Sequence, residues 1–268
     1  MRSEAERNPQ LRIGILIVTI LLSGLLIALI LWGRDIDISI EQRLRPPLDG
    51  FALGTDDLGR DLLSCVALGT LISLVIGLTV VVLSSVIGGI LGMISGLAGG
   101  VADRVIMRLV DVILSFPGIL LAITMAFFFK QGIPNLILIL TITGWVGYAR
   151  LVRGEVLKHK NKPFILAARC YNASFFRILF YHLRPLVLPL VFVQASLAVS
   201  GVILAESSLN FLGLGLPPDV PTLGQLIDSG RLHLFDMPNL ILVPGMVLFA
   251  LIIGFNFIGE GLRKKFTR

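Results

Sequence analysis

Six long stretches carry no Asp, Glu, Lys or Arg: Ile13–Gly33, Leu62–Ala102, Val112–Phe129, Gln131–Ala149, Pro185–Ala205 and Met237–Gly259. A helix needs about 20 apolar residues to cross ~30 Å of hydrocarbon. Runs of this length and frequency predict an all-α integral membrane protein with six transmembrane helices. Composition supports that reading: only 15% of the 268 residues are charged and 55% are hydrophobic. A water-soluble globule usually has ~25% charged residues, and one this poor in charge could not cover its surface. The run Leu62–Ala102 is long enough for two crossings but is read as one long helix with an interfacial lead-in. No small-residue cleavage site follows Ile13–Gly33, so that run is expected to be a retained span.

Charge placement gives the expected sidedness. With six spans, the segments on the side of both termini and of Arg150–Arg184 hold 17 Lys and Arg, and the opposite side holds 6. Basic residues gather on the cytoplasmic face, so both termini are expected to be cytoplasmic. A seventh span would divide Arg150–Arg184 from the C-terminus. The net charge of +6 is accounted for in this way and needs no nucleic-acid partner. The two cysteines, Cys65 and Cys170, then lie on opposite sides and cannot pair.

Familiar catalytic patterns are missing. There is no His-Glu-x-x-His, and His159, His182 and His233 all fall outside the apolar runs, which disfavours a zinc or intramembrane serine protease. Gly54-Thr-Asp-Asp-Leu-Gly59-Arg60-Asp61 has the glycine spacing of a phosphate loop, but Arg60 and Asp61 stand where Lys and Ser/Thr are required. The chain is therefore expected to bind no ATP, metal or cofactor itself. No apolar run contains an ionisable residue, whereas an ion-coupled carrier usually needs an intramembrane carboxylate. Glu206, just past the fifth run, is the nearest candidate, and its simplest reading is a helix-end residue reaching water.

Two packing signals lie within the runs. Ser84, Gly88, Gly92, Gly96 and Gly100 recur every four residues and line one helix face. They mark either a generic packing seam or a contact with another subunit. Phe116-Pro117-Gly118 interrupts the third run, where proline removes a backbone donor and glycine admits a close neighbour. A kink is expected there, and also near Pro185 and Pro189.

The segment Arg150–Arg184 is too long for a turn and strongly basic. Asn161-Lys162-Pro163 reads as a helix start, with proline near the first helical position. Phe164–Tyr171 follows as a short helix, which Asn172 stops. Ser174 then N-caps a second helix, Phe175–Tyr181, before Pro185 opens the fifth span. A helix–break–helix lying at the inner membrane face is expected.

These residues carry a resemblance. Phe164-Ile-Leu166-Ala167-Ala168-Arg169-Cys-Tyr-Asn172-Ala173-Ser174-Phe-Phe-Arg177, continuing through His182 to Pro185, resembles the "EAA" loop of binding-protein-dependent ABC importer permeases. Leu166 stands at the Glu position and Asn172 at the usual Gly. Gly54-Thr-Asp-Asp-Leu-Gly-Arg-Asp-Leu-Leu-Ser64, with Gly69 and Ser73-Leu74, is similar to the family's approach to span two, with Cys65 and Leu71 at usual arginine positions. Arg108-Leu-Val-Asp111 with Ser115-Phe-Pro117 resembles its third span. Glu206-Ser-Ser-Leu-Asn-Phe-Leu-Gly213-Leu-Gly215, then Pro217-Pro218 and Gly224, resembles a further motif, with Leu223 at a usual Trp. Phe255-Asn256 and Gly259-Glu-Gly261-Leu-Arg263 resemble its C-terminal ending. The pattern looks like the C-type permease of the dipeptide, oligopeptide and nickel group.

The resemblance implies a type I ABC importer permease fold in a bacterial or archaeal inner membrane. Implied partners are a B-type permease forming the other half of the pathway, two cytoplasmic ATPases holding ATP and Mg, and an extracytoplasmic substrate-binding protein. The implied ATPase-coupling residues are Leu166, Ala167, Ala168, Arg169, Asn172, Ala173, Ser174 and Arg177. Gly88, Gly92, Gly96, Phe116, Pro117 and Gly118 are packing or hinge candidates, and Glu206, Gly213, Gly215 and Pro217 are outer-side candidates. Expected boundaries are a cytoplasmic N-terminus 1–12, a first span 13–33, an outer segment 34–64, a five-helix transporter domain 65–261 with coupling loop 150–184, and a basic tail 262–268. The expected cargo is di- or oligopeptide, with nickel or another small solute as the alternative. A self-contained channel or secondary carrier would share the six spans but not the coupling-loop resemblance.

Overall fold

The computed structural model describes residues 8–33 and 36–266. Among these residues ten α-helices follow one another: α1 Pro9–Trp32, α2 Leu62–Ala98, α3 Gly100–Leu114, α4 Gly118–Phe128, α5 Ile133–His159, α6 Pro163–Cys170, α7 Phe175–Arg177, α8 Arg184–Phe211, α9 Leu223–Arg231 and α10 Asn239–Phe266. Among the described residues there is no strand, only an isolated antiparallel bridge between Thr55 and Asp61. Among the described residues five helical stretches are long and apolar enough to cross a membrane, and six when the bent pair α3–α4 counts as one. Most of the long second run is one helix, the 37-residue α2, about 55 Å at 1.5 Å per residue, while its last residues, 100–102, open α3 beyond the break at Gly99.

Contacts fix the direction of each span. Ser84, Gly88, Gly92 and Gly96 of α2 meet Gly144, Trp145, Ala149 and Val156 of α5 in the same order, so α2 and α5 run parallel. Ser73 meets Glu206 and Gly77 meets Ile203, so α8 runs antiparallel to α2. On α1, Leu11 meets Gly261 and Gly14 meets Ile258, an antiparallel pair with α10. The first and last described residues therefore point to the same end of the bundle, the end that carries α6. The segment 36–61 and α9 cover the other end.

Three expectations are corrected. The third run, Val112–Phe129, is not one kinked helix but two helices bent by 88°. Pro117 cannot donate, and its ring drives Phe116 out of helical geometry, so Pro117 becomes the N-cap residue of α4. Gly118 has open space where a side chain would stand, so nothing packs against it. Second, Pro185 stands in the first turn of α8 but opens no separate span, because Phe175–Phe211 is one continuous helical stretch of 37 residues. A π-helical turn at Ile178–Leu183 precedes Pro185. Widening the turn accommodates a ring that lacks a donor and crowds the carbonyls before it. Third, α5 continues past Ala149 to His159, so the basic segment starts inside a helix.

The glycine seam is internal. A Cβ on Gly92 would lie 2.5 Å from the Ala149 carbonyl oxygen, and one on Gly96 2.7 Å from Val156 Cγ1. The face is occupied by α5 of the same chain rather than by another subunit. Gly100 does not share it; it lies beyond the break at Gly99, with φ +56° and open surroundings.

Candidate functional site

At one end of the bundle, α6 is fixed by its own core and its own stop signal. Ile165 is fully buried in a cluster with Met93, Leu97, Val152, Val156, Leu179 and Leu183, which ties α6 to the ends of α2 and α5 and to the π-helical turn that precedes α8. Burying an aliphatic side chain of this size contributes about 2 kcal/mol. Asn172 adopts φ +54°, a left-handed conformation that Asn tolerates better than any residue but glycine. The Ala173 N–H then donates to the Ala168 carbonyl at 3.0 Å and the Asn172 N–H to the Arg169 carbonyl at 2.9 Å. This pair of bonds is a Schellman stop. Ser174 caps the next helix, its hydroxyl accepting from the Arg177 N–H at 3.3 Å.

The eight expected coupling residues divide into two sets. Leu166, Ala167, Arg169, Asn172, Ser174 and Arg177 are exposed. Ala168 and Ala173 instead lean on the chain's own apolar cluster, so they support the helix from below. The 3.6-residue period places Leu166 and Arg169 on the outer face and Ile165 and Ala168 on the inner one.

Beside α6, the end of α5 is locked to α3. Arg153 donates through Nε and Nη2 to the two carboxylate oxygens of Asp103 at 2.6 and 2.7 Å. Ser95 of α2 donates to the same carboxylate. Arg150 reaches Asp111 of α3 at 3.0 Å on an exposed surface. Nothing in the periodicity of α3 or α5 pairs these residues, since they lie on separate helices 39 and 50 residues apart along the chain.

At the opposite end, Gly54–Asp61 forms a compact polar turn. Asp56 accepts from the Leu58 and Arg60 N–H groups at 2.9 and 2.8 Å and pairs with Arg60 Nε at 2.7 Å, both side chains buried. Asp61 N-caps α2, accepting from the Ser64 N–H at 2.9 Å and its hydroxyl at 2.6 Å. The phosphate-loop spacing of the glycines therefore serves a cap. The Arg60 guanidinium also donates to the carbonyls of Pro218 and Asp219 at 3.3 and 3.4 Å, across to the loop after α8.

Glu206 corrects the simplest sequence reading: it does not reach water but is completely buried between α8 and α2. Its Oε2 accepts from the hydroxyls of Ser73 at 2.8 Å and Ser207 at 3.2 Å, and its Oε1 from Asn210 Nδ2 at 2.6 Å. The other outer-side residues gather nearby. Gly213 turns the chain with φ +70°, Gly215 packs directly on the Asn210 side chain, and the Pro217 carbonyl accepts from Gln225 at 3.3 Å. Leu223 is fully buried against Leu62, Cys65 and Val66. Ser73 carries no signal as a partner of Glu206 in the sequence, because it lies 133 residues away along the chain, whereas Asn210 follows Glu206 at the i,i+4 spacing of one helix face.

The comparisons with known proteins follow the same geometry. Residues 88–268 match the family described as the binding-protein-dependent transport system inner membrane component. The chain belongs to this family. The dipeptide transport system permease protein DppC of Haemophilus influenzae is 33% identical over 213 residues, covering 80% of this chain and 72% of that protein. The glutathione transport system permease protein GsiD of Salmonella typhimurium is 42% identical over 210 residues, covering 78% and 69%. The oligopeptide transport system permease protein OppC of Bacillus subtilis is 33% identical over 219 residues, covering 82% and 72%. Among solved structures, the inward-facing MetNI methionine ABC transporter matches with a TM-score of 0.59 at 21% identity, covering 75% of this chain and 95% of that one. The fold is that of an ABC transporter permease, as the motifs implied. The protein is a multi-pass, non-catalytic permease component of an ABC importer, a family whose transport depends on ATPase and binding-protein partners.

Proposed function

We propose that this permease forms half of a translocation pathway for short peptides, paired with a B-type permease, with two ATPases below and a binding protein above. Relatives named for dipeptides, oligopeptides and glutathione support a peptide cargo. The α6 end faces the cytoplasm together with both termini, as the distribution of basic residues suggests. ATP and Mg stay on the ATPases. The segments 34–64 and 207–236 form the outer face met by the binding protein. In this reading residues 1–12 are the cytoplasmic N-terminus, 13–33 the first span, 65–261 the transporter domain and 262–268 the cytoplasmic tail.

The observation that carries coupling is the division of α6 itself. Ile165 and Ala168 face the core while Leu166, Ala167 and Arg169 stay exposed, on a helix held by the Schellman stop at Asn172. A rigid helix with an unpartnered outer face can transmit a push or pull from the ATPases into α5 and α8. Those spans then rock and alternate access. Because Ala168 packs inward, a charge there would disturb the fold, so the informative substitution is Ala167→Asp. In the reconstituted complex it should abolish ATP-driven peptide uptake while the permease still assembles in the membrane. Normal uptake by an assembled Ala167→Asp complex would overturn the assignment. Mass spectrometry of the gently solubilised complex tests the partners: a second permease and ATPase chains are expected, and a stable homo-oligomer without ATPases would refute the reading.

A further inference from the structure

The loop 213–219 has one anchor that the transport reading does not use. Asn210 makes bonds from both ends of its amide. Its Nδ2 donates to the Glu206 carboxyl at 2.6 Å and to the Glu206 carbonyl at 3.0 Å, and its Oδ1 accepts from the Leu216 N–H at 2.8 Å. The direction matters. A carboxyl oxygen accepts, so it holds the amide nitrogen of Asn210 toward α8 and leaves the amide oxygen for the loop. Ser73 of α2 and Ser207 aim their hydroxyls at the other carboxyl oxygen, fixing the carboxyl plane from a second helix. On the far side of the loop, Gln225 Nε2 takes up the Leu216 carbonyl at 2.7 Å. Leu216 is thus gripped through both of its backbone polar groups. Arg60 holds Pro218 and Asp219 through their carbonyls, which leaves these two residues exposed at the outer surface.

We propose that Glu206 is a positioning residue: through Asn210 it fixes the loop 213–219 in the conformation that receives the substrate-binding protein. The proposal rests on the reading of this end as the binding protein's face. A carboxyl buried in an apolar span is costly unless every lone pair finds a donor. Here the donors come from α2 and α8, and Asn210 in turn accepts from the Leu216 N–H, so the cluster joins the span seam to the loop at the outer surface. An ordered loop binds without an ordering cost. Losing the anchor should raise the binding-protein concentration required and leave the rate at saturation intact.

The test uses the complete complex in nanodiscs with the binding protein that co-purifies with it. In Glu206→Leu, hydrogen exchange should rise in the peptide spanning 212–221, which contains the Leu216 amide, and remain unchanged in the rest of α8 and in α2. The binding-protein concentration giving half-maximal ATP hydrolysis should rise about tenfold, the size expected for one lost buried hydrogen bond. Glu206→Gln should restore both readouts, because its carbonyl oxygen can serve Asn210 while its amide donates to the serine hydroxyls. Glu206→Asp is a milder probe should the leucine variant fail to assemble; one methylene shorter, it cannot reach Asn210 and Ser73 together and should shift both readouts in the same direction. Unchanged exchange at 212–221 in an assembled Leu or Asp variant would overturn the proposal. So would exchange rising throughout α8, or a Gln variant that behaves like Leu. If the wild-type complex gave no stimulation by a binding protein while the exchange differences persisted, the transport reading would fail and the anchor would stand.

Discussion

Gly92 of α2 and Ala149 of α5 touch backbone to backbone: a single added carbon on Gly92 would stand 2.5 Å from the Ala149 carbonyl oxygen. Without a hydrophobic driving force between helices in lipid, such close approach is a main source of association, through dispersion and weak polar contacts. Gly88 repeats this against the Trp145 carbonyl one turn earlier, and Gly96 packs on the Val156 side chain one turn later.

Gly92→Leu should therefore force α2 and α5 apart and cost at least ~2 kcal/mol. Yield of assembled complex and its thermal unfolding midpoint in detergent measure this. Gly89→Ala is the control, because an added carbon there meets no atom within 4 Å. A normal midpoint for Gly92→Leu would mean that the seam opens at little cost.

The pair Arg153–Asp103 ties α5 to α3 through two parallel bonds of 2.6 and 2.7 Å. Both side chains are partly exposed, which limits the effect. Arg153→Ala should lower stability by about 1–3 kcal/mol. Arg153→Lys should recover only part of it, since an ammonium group lacks the planar fork. Equal melting temperatures for Lys and wild type would show that charge alone suffices.

Asn172 stops α6 with φ +54°. Asn172→Gly should leave the stop intact, while Asn172→Val should destabilise it by about 1–2 kcal/mol because a β-branched residue resists that conformation. Hydrogen exchange of residues 163–174 in the assembled complex distinguishes the two. Equal protection in both variants would remove the stop from the account.

Arg60 and Asp56 form a buried ion pair at 2.7 Å beneath the outer surface. Arg60→Met strands the Asp56 charge and should cost about 3–5 kcal/mol. Adding Asp56→Asn should return part of that loss, because Asn can still accept one backbone bond without a charge to bury. A double variant less stable than Arg60→Met alone would contradict this.

Sequence by itself determined the number and order of the spans, the start and stop of α6, and the family. Each of these depends on residues close together in the chain. A run of apolar side chains lowers its free energy in hydrocarbon whatever its neighbours do, and a proline, asparagine or serine sets the backbone within a residue or two. Tertiary structure decided what depends on residues far apart. The sequence shows that Gly88, Gly92 and Gly96 share a face, but only the packed bundle shows α5 filling it. Pro117 announces a bend, and the contacts of α3 and α4 with α5 turn it into a break of 88°. Ala168 lies within the coupling motif, yet the cluster around Ile165 turns it inward. Glu206 stands beyond an apolar run in the sequence, and its burial follows from Ser73, more than a hundred residues earlier, arriving from α2 with a hydroxyl to satisfy it. A buried polar group is stable only with its partners, and only the fold brings those partners to it.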